Sequence, residues 1–578
     1  MKYICNPMNL TYHYQFHGRF YANAICREGA DPSLILFKGR YYLFVSMSAG
    51  FWVSDDLIGW EYHSLPELPI HDYAPDVRAV GDYLYFCASK RNSKCPFYRT
   101  KDPLSGKFEK LPATMTFWDP HLFADDDGRL YFYWGCSNKT PLYGVELDPK
   151  TMAPIGEPKG LIESNTAEHG FERSGENHRR EAPETVSAKL MQLLAGGSAP
   201  YIEGAWMNKH GGKYYLQYAA NGTEFNVYAD GVYIGDTPLG PFSYAKNNPY
   251  SYRPGGFMPG AGHGSTLEDK FGNLWHAATM RISKNHSFER RVGIFPAGFD
   301  EEGQLFCNQR YGDWPIRVEQ GRFDPWRKPD WMLLSFHKPM TASSHADNCL
   351  PALAADECEQ TWWKAASAQS GQWLQIDLEK PMEVHAVQLN FADDNLKLAP
   401  PEGEKWGGEW PIKRIIDTQP HKTHWILEGS VDGSSYFTVC DKSEAETDLP
   451  HDFICLEEGM KVRFLRCTVL ELPFHQTAAI SAFRVFGLSG GETAKPVQNL
   501  EVTWSSDIDL KITWTSGDSA VGHAVLWGYA PDRLYHSCMT YGQTQCHIGA
   551  LNAGQPLYVR VDAFNEAGIT EGTVTKVK

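Results

Sequence analysis

Up to about residue 315, apolar positions fall in short strand-like runs rather than at the spacing of amphipathic helices. The runs share a frame in which a Gly and one further residue precede aromatic and aliphatic side chains. They are GRYYLF at 39–44, GDYLYF at 81–86, GRLYFY at 128–133, GKYYLQ at 212–217 and GNLWH at 272–276. Each Gly can take the positive φ of a tight hairpin turn, and the residues after it read as a buried strand. Copies spaced roughly 40 to 60 residues apart, one interval being longer, predict four-stranded units around an axis rather than the hairpins of a barrel. The long interval holds an insertion at 163–197, rich in Glu, Arg, Ser and Gly, and is predicted to be a loop with a short helix over 183–194. The fold class that follows is all-β, with a five-bladed β-propeller over 1–330. Alternating strands bounded by turns then predict two β-sandwiches, at 331–489 and, after a short linker, at 495–578.

What precedes each turn carries the chemistry. Shortly upstream of the glycines stand Asp31-Pro32, Pro75-Asp76, Asp119-Pro120, Glu203-Gly204 and His263 between two Gly. In a propeller the innermost strand of every blade runs along the central channel, so equivalent positions meet at one end of it. Asp-Pro and Pro-Asp are ordinary turn formers, which accounts for any one pair. Repetition at similar offsets calls for another reason. Like charges crowded at a channel mouth raise one another's pKa and add nothing to stability, whereas catalysis uses such groups. The groups are therefore expected to converge on one axial pocket.

Composition narrows the partners. Lys and Arg number 54 against 70 Asp and Glu, a net charge of −16 without an evident basic patch, which excludes nucleic acid and anionic membrane surfaces. No apolar run approaches the ~18 residues of a membrane span, and the N-terminal residues lack the apolar core of a secretory signal. The 13 cysteines are scattered without a CxxC pair, so they read as reduced thiols rather than disulfides or zinc ligands. The expected location is cytoplasmic, and the oligomeric state is open.

Two carboxyl groups flanking a bond, one protonated and one ionised, are the minimum apparatus of glycoside hydrolysis. A third carboxylate nearby helps to keep the acid protonated near neutral pH. Trp118, beside Asp119, and Trp206, beyond Glu203, are candidates either to stack on sugar faces or to pack between blades. Taken in order, ADPSL at 30–34, DDLIGW at 55–60, WDPHLF at 118–123 with DDDG at 125–128, IEGA at 202–205, LGPF at 239–242 and GHGS at 262–265 resemble glycoside hydrolase family 43. These are the five-bladed propeller arabinofuranosidases and xylosidases, and the resemblance covers about residues 25–315. It implies an inverting reaction with Asp31 as general base, Glu203 as general acid and Asp119 as the third carboxylate that orients the acid and raises its pKa. The base and acid carboxyls of such enzymes stand roughly 6.5–9.5 Å apart. The resemblance also places His263 near the substrate or near a water-ligated Ca2+ in the channel. It turns Arg290 toward the substrate and, by strand alternation, Arg291 away from it, and it makes Asp76 a lining residue without a proton-transfer role. No cofactor is required, and Ca2+ is the one metal expected.

Segments 163–197 and 223–230 depart from the commonest family patterns. ERSGENH at 172–178 is expected to wall a closed pocket, which would make the enzyme exo-acting. Further on, MTASS at 340–344, QWLQIDL at 372–378, LEGSVDG at 427–433 and FRVFG at 483–487 resemble a discoidin (coagulation-factor C-type) domain interrupted at 393–423. That domain is expected to bind carbohydrate or to act as a scaffold. ITW at 512–514, AVLW at 524–527 and YVRVDAFN at 558–565 resemble a fibronectin type III sandwich with Trp514 and Tyr558 in its core, expected to be a spacer. The expected activity is hydrolysis of terminal α-L-arabinofuranosides or β-D-xylosides from oligosaccharides, with β-D-galactofuranosides as the alternative. Retaining fructan hydrolases are disfavoured because Asp31 lies in Ala-Asp-Pro-Ser rather than Asn-Asp-Pro-Asn. A non-catalytic sugar-binding propeller is disfavoured because all three carboxylates are present.

Overall fold

The computed structural model describes residues 2–19, 22–69, 71–91, 93–179, 199–404, 406 and 415–578. The helix expected over 183–194 lies outside the described residues. Strands carry 51% of the chain and helices 4%, so the architecture is all-β as the short apolar runs require.

Five four-stranded antiparallel sheets follow one another in chain order, each with its strands in sequence order. Their first strands are Ala30–Phe37, Tyr73–Val80, His121–Ala124, Tyr201–His210 and Gly260–Glu268. Each of these touches the next and the fifth touches the first, which closes a ring. The repeated glycines make the turns into the second strands, with φ of 81° at Gly39, 57° at Gly81, 85° at Gly128, 78° at Gly212 and 85° at Gly272. The aromatic runs after them fill the spaces between sheets: Tyr42, Phe44 and Phe86 pack between the first and second, and Phe97, Phe117 and Phe132 between the second and third. Strand Lys2–Ile4 pairs antiparallel with Ile316–Val318, fastening the start of the chain to the end of the ring.

The innermost strands share a local distortion. Pairing register breaks between Ala30 and Ser33, Tyr73 and Asp76, Glu203 and Trp206, and Gly262 and Ser265. At or near each break a residue enters the left-handed region: Asp31 (51°), Ala74 (52°), Gly204 (61°) and His263 (46°), with Asp119 (49°) just ahead of the third strand. Such bulges re-aim side chains and are common beside active sites. They also free backbone N–H groups, and hydroxyls of neighbouring sheets take these up. The N–H of Asp31 donates to Thr279 Oγ1 (2.8 Å), that of Ala74 to Ser46 Oγ (2.8 Å) and that of Asp119 to Ser89 Oγ (2.9 Å). The strained residues are thus held by the preceding sheet.

Beyond the ring, an antiparallel eight-stranded assembly runs from Met332–Leu333 to Ala479–Leu488 around Trp363, Leu374, Trp425 and Phe483. Two further sheets, of three and five strands, are built from 498–576, with Trp514, Trp527 and Val559 buried between them. The middle assembly is bound into the ring's wall. Strand Ile415–Asp417 pairs with Tyr14–Arg19, which pairs with Ala22–Arg27. Arg27, 1% exposed, forms ion pairs with Asp393 (3.5 Å) and Asp448 (3.1 Å) across that junction.

Candidate active site

The bulges of the first, fourth and fifth sheets and the left-handed residue just ahead of the third bring Asp31, Glu203, His263 and Asp119 together. His263 Nδ1 lies 3.4 Å from Asp31 Oδ1 and 3.8 Å from Asp119 Oδ2. Carboxylate oxygens of Asp119 and Glu203 and the Cys136 sulfur lie within 4.8 Å of one another. Gly204 is required beside this histidine, because a Cβ there would stand 2.7 Å from His263 Cγ on a backbone with φ of 61°.

Each acid has its own support. Asp31 Oδ2 accepts from Ser46 Oγ (2.6 Å) and Oδ1 lies 3.4 Å from Arg290 Nη1. Arg290 is locked in turn by buried Glu28 (Nε to Oε1, 2.9 Å) and by Thr223 Oγ1 (3.3 Å). Glu203 accepts from the Tyr228 hydroxyl at Oε1 and from the Cys136 thiol at Oε2 (3.0 Å).

The environments drive the carboxyls apart. Burial works to raise Asp31, but the Arg290 guanidinium, His263 and the Ser46 hydroxyl outweigh it and hold this carboxyl below its usual range. Asp119 goes the other way: burial, together with the Glu203 and Asp31 charges, holds it well above the carboxylate range against the pull of His263. Burial disfavours the His263 cation, yet the surrounding carboxylates, Asp31 foremost, raise its pKa. The pocket thus sets a carboxyl held low beside one held high, with an imidazole whose pKa the carboxylates raise.

Asp76 stands apart from this cluster. The second sheet presents Ala74 at the left-handed position, followed by Pro75 as Pro32 follows Asp31 and Pro120 follows Asp119. Asp76 sits deeper, accepting from Leu122 N (2.8 Å) and paired with His121 Nδ1 (3.0 Å). Trp206 is 4% exposed, donates from Nε1 to Thr266 O (3.2 Å) and packs on His121 with ring centroids 4.4 Å apart. Buried this far, it has no face open to a sugar. Trp118 is half-buried under the Arg91 guanidinium, 5.5 Å from the ring centre. Arg290 and Arg291 do point oppositely: Arg291 donates to Arg27 O (2.6 Å) and to His451 Nε2 (2.9 Å).

In the insertion, Arg173 is bidentate to Asp509 (2.9 and 2.7 Å) in the C-terminal sheets. Glu176 pairs with Arg281 (2.8 Å), and Asn177 accepts from Asn226 Nδ2 (2.8 Å), in the segment that also carries Thr223 and Tyr228. For a channel cation, the fitting atoms lie one step below His263. Asp230 Oδ1 is buried without a partner, while Oδ2 accepts from Gly264 N (2.9 Å) and lies 3.3 Å from His276 Nε2. An orphaned carboxylate oxygen is the kind of ligand a hydrated Ca2+ takes.

Sequence reasoning did not single out Glu28, Ser46, Cys136 or Tyr228. Tyr228 lies in the 223–230 segment flagged as divergent, and Ser46 closes an aromatic run; Glu28 and Cys136 carry no local signal.

Residues 21–305 match the family described as "Glycosyl hydrolases family 43". Among curated relatives, a "Beta-xylosidase" of Xylanibacter ruminicola is 30% identical over 156 residues, covering 26% of this chain and 44% of the relative. A "Xylosidase/arabinosidase" of Bacteroides ovatus is 30% identical over 163 residues, covering 26% and 43%. A "Xylosidase/arabinosidase 43A" of Humicola insolens is 26% identical over 268 residues, covering 37% and 78%. The matches thus span less than half the length of the first two relatives. Residues 21–305 of this chain are a glycosyl hydrolase family 43 domain.

Proposed function

We propose that the protein is an inverting, exo-acting glycosidase that hydrolyses terminal pentosides, α-L-arabinofuranosides or β-D-xylosides, from oligosaccharides. The observation that carries this reading is the pair of carboxyls facing one imidazole, Asp31 pushed down in pKa and Asp119 pushed up, with Glu203 beside the latter. Pairs of titratable groups pushed apart by their surroundings mark acid and base roles. Asp31 takes the proton of a water that attacks the anomeric carbon from the face opposite the leaving group. Glu203, aimed by Tyr228 and Cys136, protonates the departing oxygen, and Asp119 beside it disfavours a second charge there and so keeps a proton on the pair for Glu203 to deliver. Arg290, buried between Glu28 and Asp31, holds the Asp31 carboxyl low and so keeps it available as base.

The five sheets are, in this reading, the blades of a propeller spanning 1–330. Residues 331–489 form a discoidin-like sandwich and 495–578 a fibronectin type III-like sandwich. Asp230 and His276 would hold a hydrated Ca2+ beside His263. Such an ion would supply a positive charge to the site, while proton transfer stays with the side chains. A cytoplasmic location, with imported oligosaccharides as substrates, completes the proposal.

The test is hydrolysis of arabinofuranosyl, xylosyl and galactofuranosyl oligosaccharides, whose leaving alcohol must be protonated to depart. Glu203→Gln should lower kcat/KM by roughly 10²–10⁴-fold, and proton NMR should show the inverted anomer forming first. Full activity in Glu203→Gln would remove Glu203 from the acid role, and preference for the galactofuranoside would favour the alternative sugar.

A further inference from the structure

Between the first and second sheets, one hydrogen bond from Asp31, opens a cleft of about 360 Å3. Its volume lies in the range of small-ligand sites. Met47 and Tyr73 line it with apolar surface, and Ser46 and His71 supply polar groups. Burial pushes His71 down to about 4, with Lys90 adding to the effect and Asp72 opposing it, so it meets a ligand as a neutral imidazole able to bond a hydroxyl. Two residues of the wall, Ile416 and Thr418, come from the middle assembly rather than from the ring.

The cleft adjoins the acids through two of its lining residues. Ser46, which lines it, holds Asp31 at 2.6 Å. The Tyr73 ring lies under the Arg290 guanidinium, 5.3 Å from its centre, and the same guanidinium reaches Asp31. Strand alternation explains why Ile416 faces the opening. Ile415 packs with Tyr14, Phe16 and Ile25, and Asp417 pairs with His421, which leaves Ile416 between them on the opposite face. The backbone of this strand is fixed by its register with the N-terminal hairpin, Gln15 opposite Ile416.

We propose that this cleft binds a second sugar carried by the terminal ring, on the side away from the scissile bond, and that Ile416 and Thr418 select it. Its place on the Asp31 side sets the direction, because the base stands across the ring from the acid and the leaving group. The proposal rests on the glycosidase reading and extends it: the enzyme would release a substituted pentose, such as an intact disaccharide, as well as a single sugar.

The experiment compares aryl pentoside with the aryl glycoside of the corresponding disaccharide, identifying the first product by mass spectrometry. The expected result is release of the intact disaccharide by the wild type. In Ile416→Trp, the ratio of kcat/KM for the disaccharide substrate to that for the pentoside should fall about tenfold or more, the worth of one lost contact of 1.4 kcal/mol. Release of single sugars alone from the chain end, or an unchanged ratio in Ile416→Trp, overturns the proposal while leaving the glycosidase intact. If neither substrate is cleaved, the glycosidase reading fails. Saturation-transfer NMR of the free disaccharide with wild type and Ile416→Trp then decides the cleft: weaker contact in the variant supports it, and equal contact overturns it.

Discussion

Arg290→Met tests the electrostatic core of the site. Arg290 Nη1 stands 3.4 Å from Asp31 Oδ1 with both groups buried, and at an effective dielectric near 20 that pair is worth about 5 kcal/mol. Glu28 shares the guanidinium charge at closer range, so the working magnitude is the about 1–3 pK units observed for carboxylates beside one cation. The sign follows directly. Asp31 has its pKa depressed in the folded protein, and it must be ionised to act as base, so activity falls as pH drops through that value. Removing Arg290 raises the Asp31 pKa, and the Glu28 carboxylate left behind adds to the rise. The acid limb of the kcat/KM–pH profile should therefore move up by about 1–3 units, with Arg290→Lys moving it less. Nitrophenyl glycosides suit the assay because their leaving group asks little of the acid. An acid limb that stays in place in a folded, active Arg290→Met protein would refute the assignment of Asp31 as base under Arg290's control.

Tyr228→Phe removes the hydroxyl that donates to Glu203 Oε1. Losing this hydrogen bond to the neutral acid costs about 0.5–1.5 kcal/mol, so kcat should fall by roughly two- to tenfold with KM little changed in steady-state kinetics. Gly204→Ala places a methyl 2.7 Å from His263 Cγ on a left-handed backbone; thermal melts should show destabilisation of more than about 1 kcal/mol, together with loss of activity. Arg27→Met leaves Asp393 and Asp448 buried without their cation, at a cost of about 3–5 kcal/mol. Adding Asp393→Asn and Asp448→Asn should recover much of the lost melting temperature.

The repeat was legible because both of its signals are local. A Gly that must take positive φ and an aromatic run that must be buried stand next to each other, and all five such glycines are in the left-handed region. The position of the acids was legible only as far as the bulge could be guessed. Asp31-Pro32 and Asp119-Pro120 place the acid on the left-handed residue itself, whereas Pro75-Asp76 places it two residues later, where it turns inward to His121. Read as composition the three pairs look alike; read from the Pro, the second offers Ala74. Trp206 misleads in a similar way, since a Trp near an acid signals either a sugar platform or packing, and only the burial of its ring against His121 decides. Glu28 was hidden for a different reason. Its role depends on Arg290, which is 262 positions away in the chain, and no local pattern encodes that distance.

The least legible element is the part taken by the middle assembly. The family match ends at residue 305, yet two features that shape the wall of the site depend on residues far beyond it. Arg27 carries a buried charge one residue before Glu28, and its counter-ions are Asp393 and Asp448. Arg291 donates its Nε proton to His451, a ring that Asn390 bonds in turn at Nδ1 (2.8 Å). Burial and the neighbouring arginines keep that imidazole neutral, as an acceptor must be. Arg27 and Arg291 flank the two residues, Glu28 and Arg290, that fix Asp31. A ring cut from the rest of the chain would expose or strand both outer arginines, and the hairpin leading into Asp31 would lose strand Ile415–Asp417 as well. The unit that positions the base is therefore the ring together with the assembly that follows it.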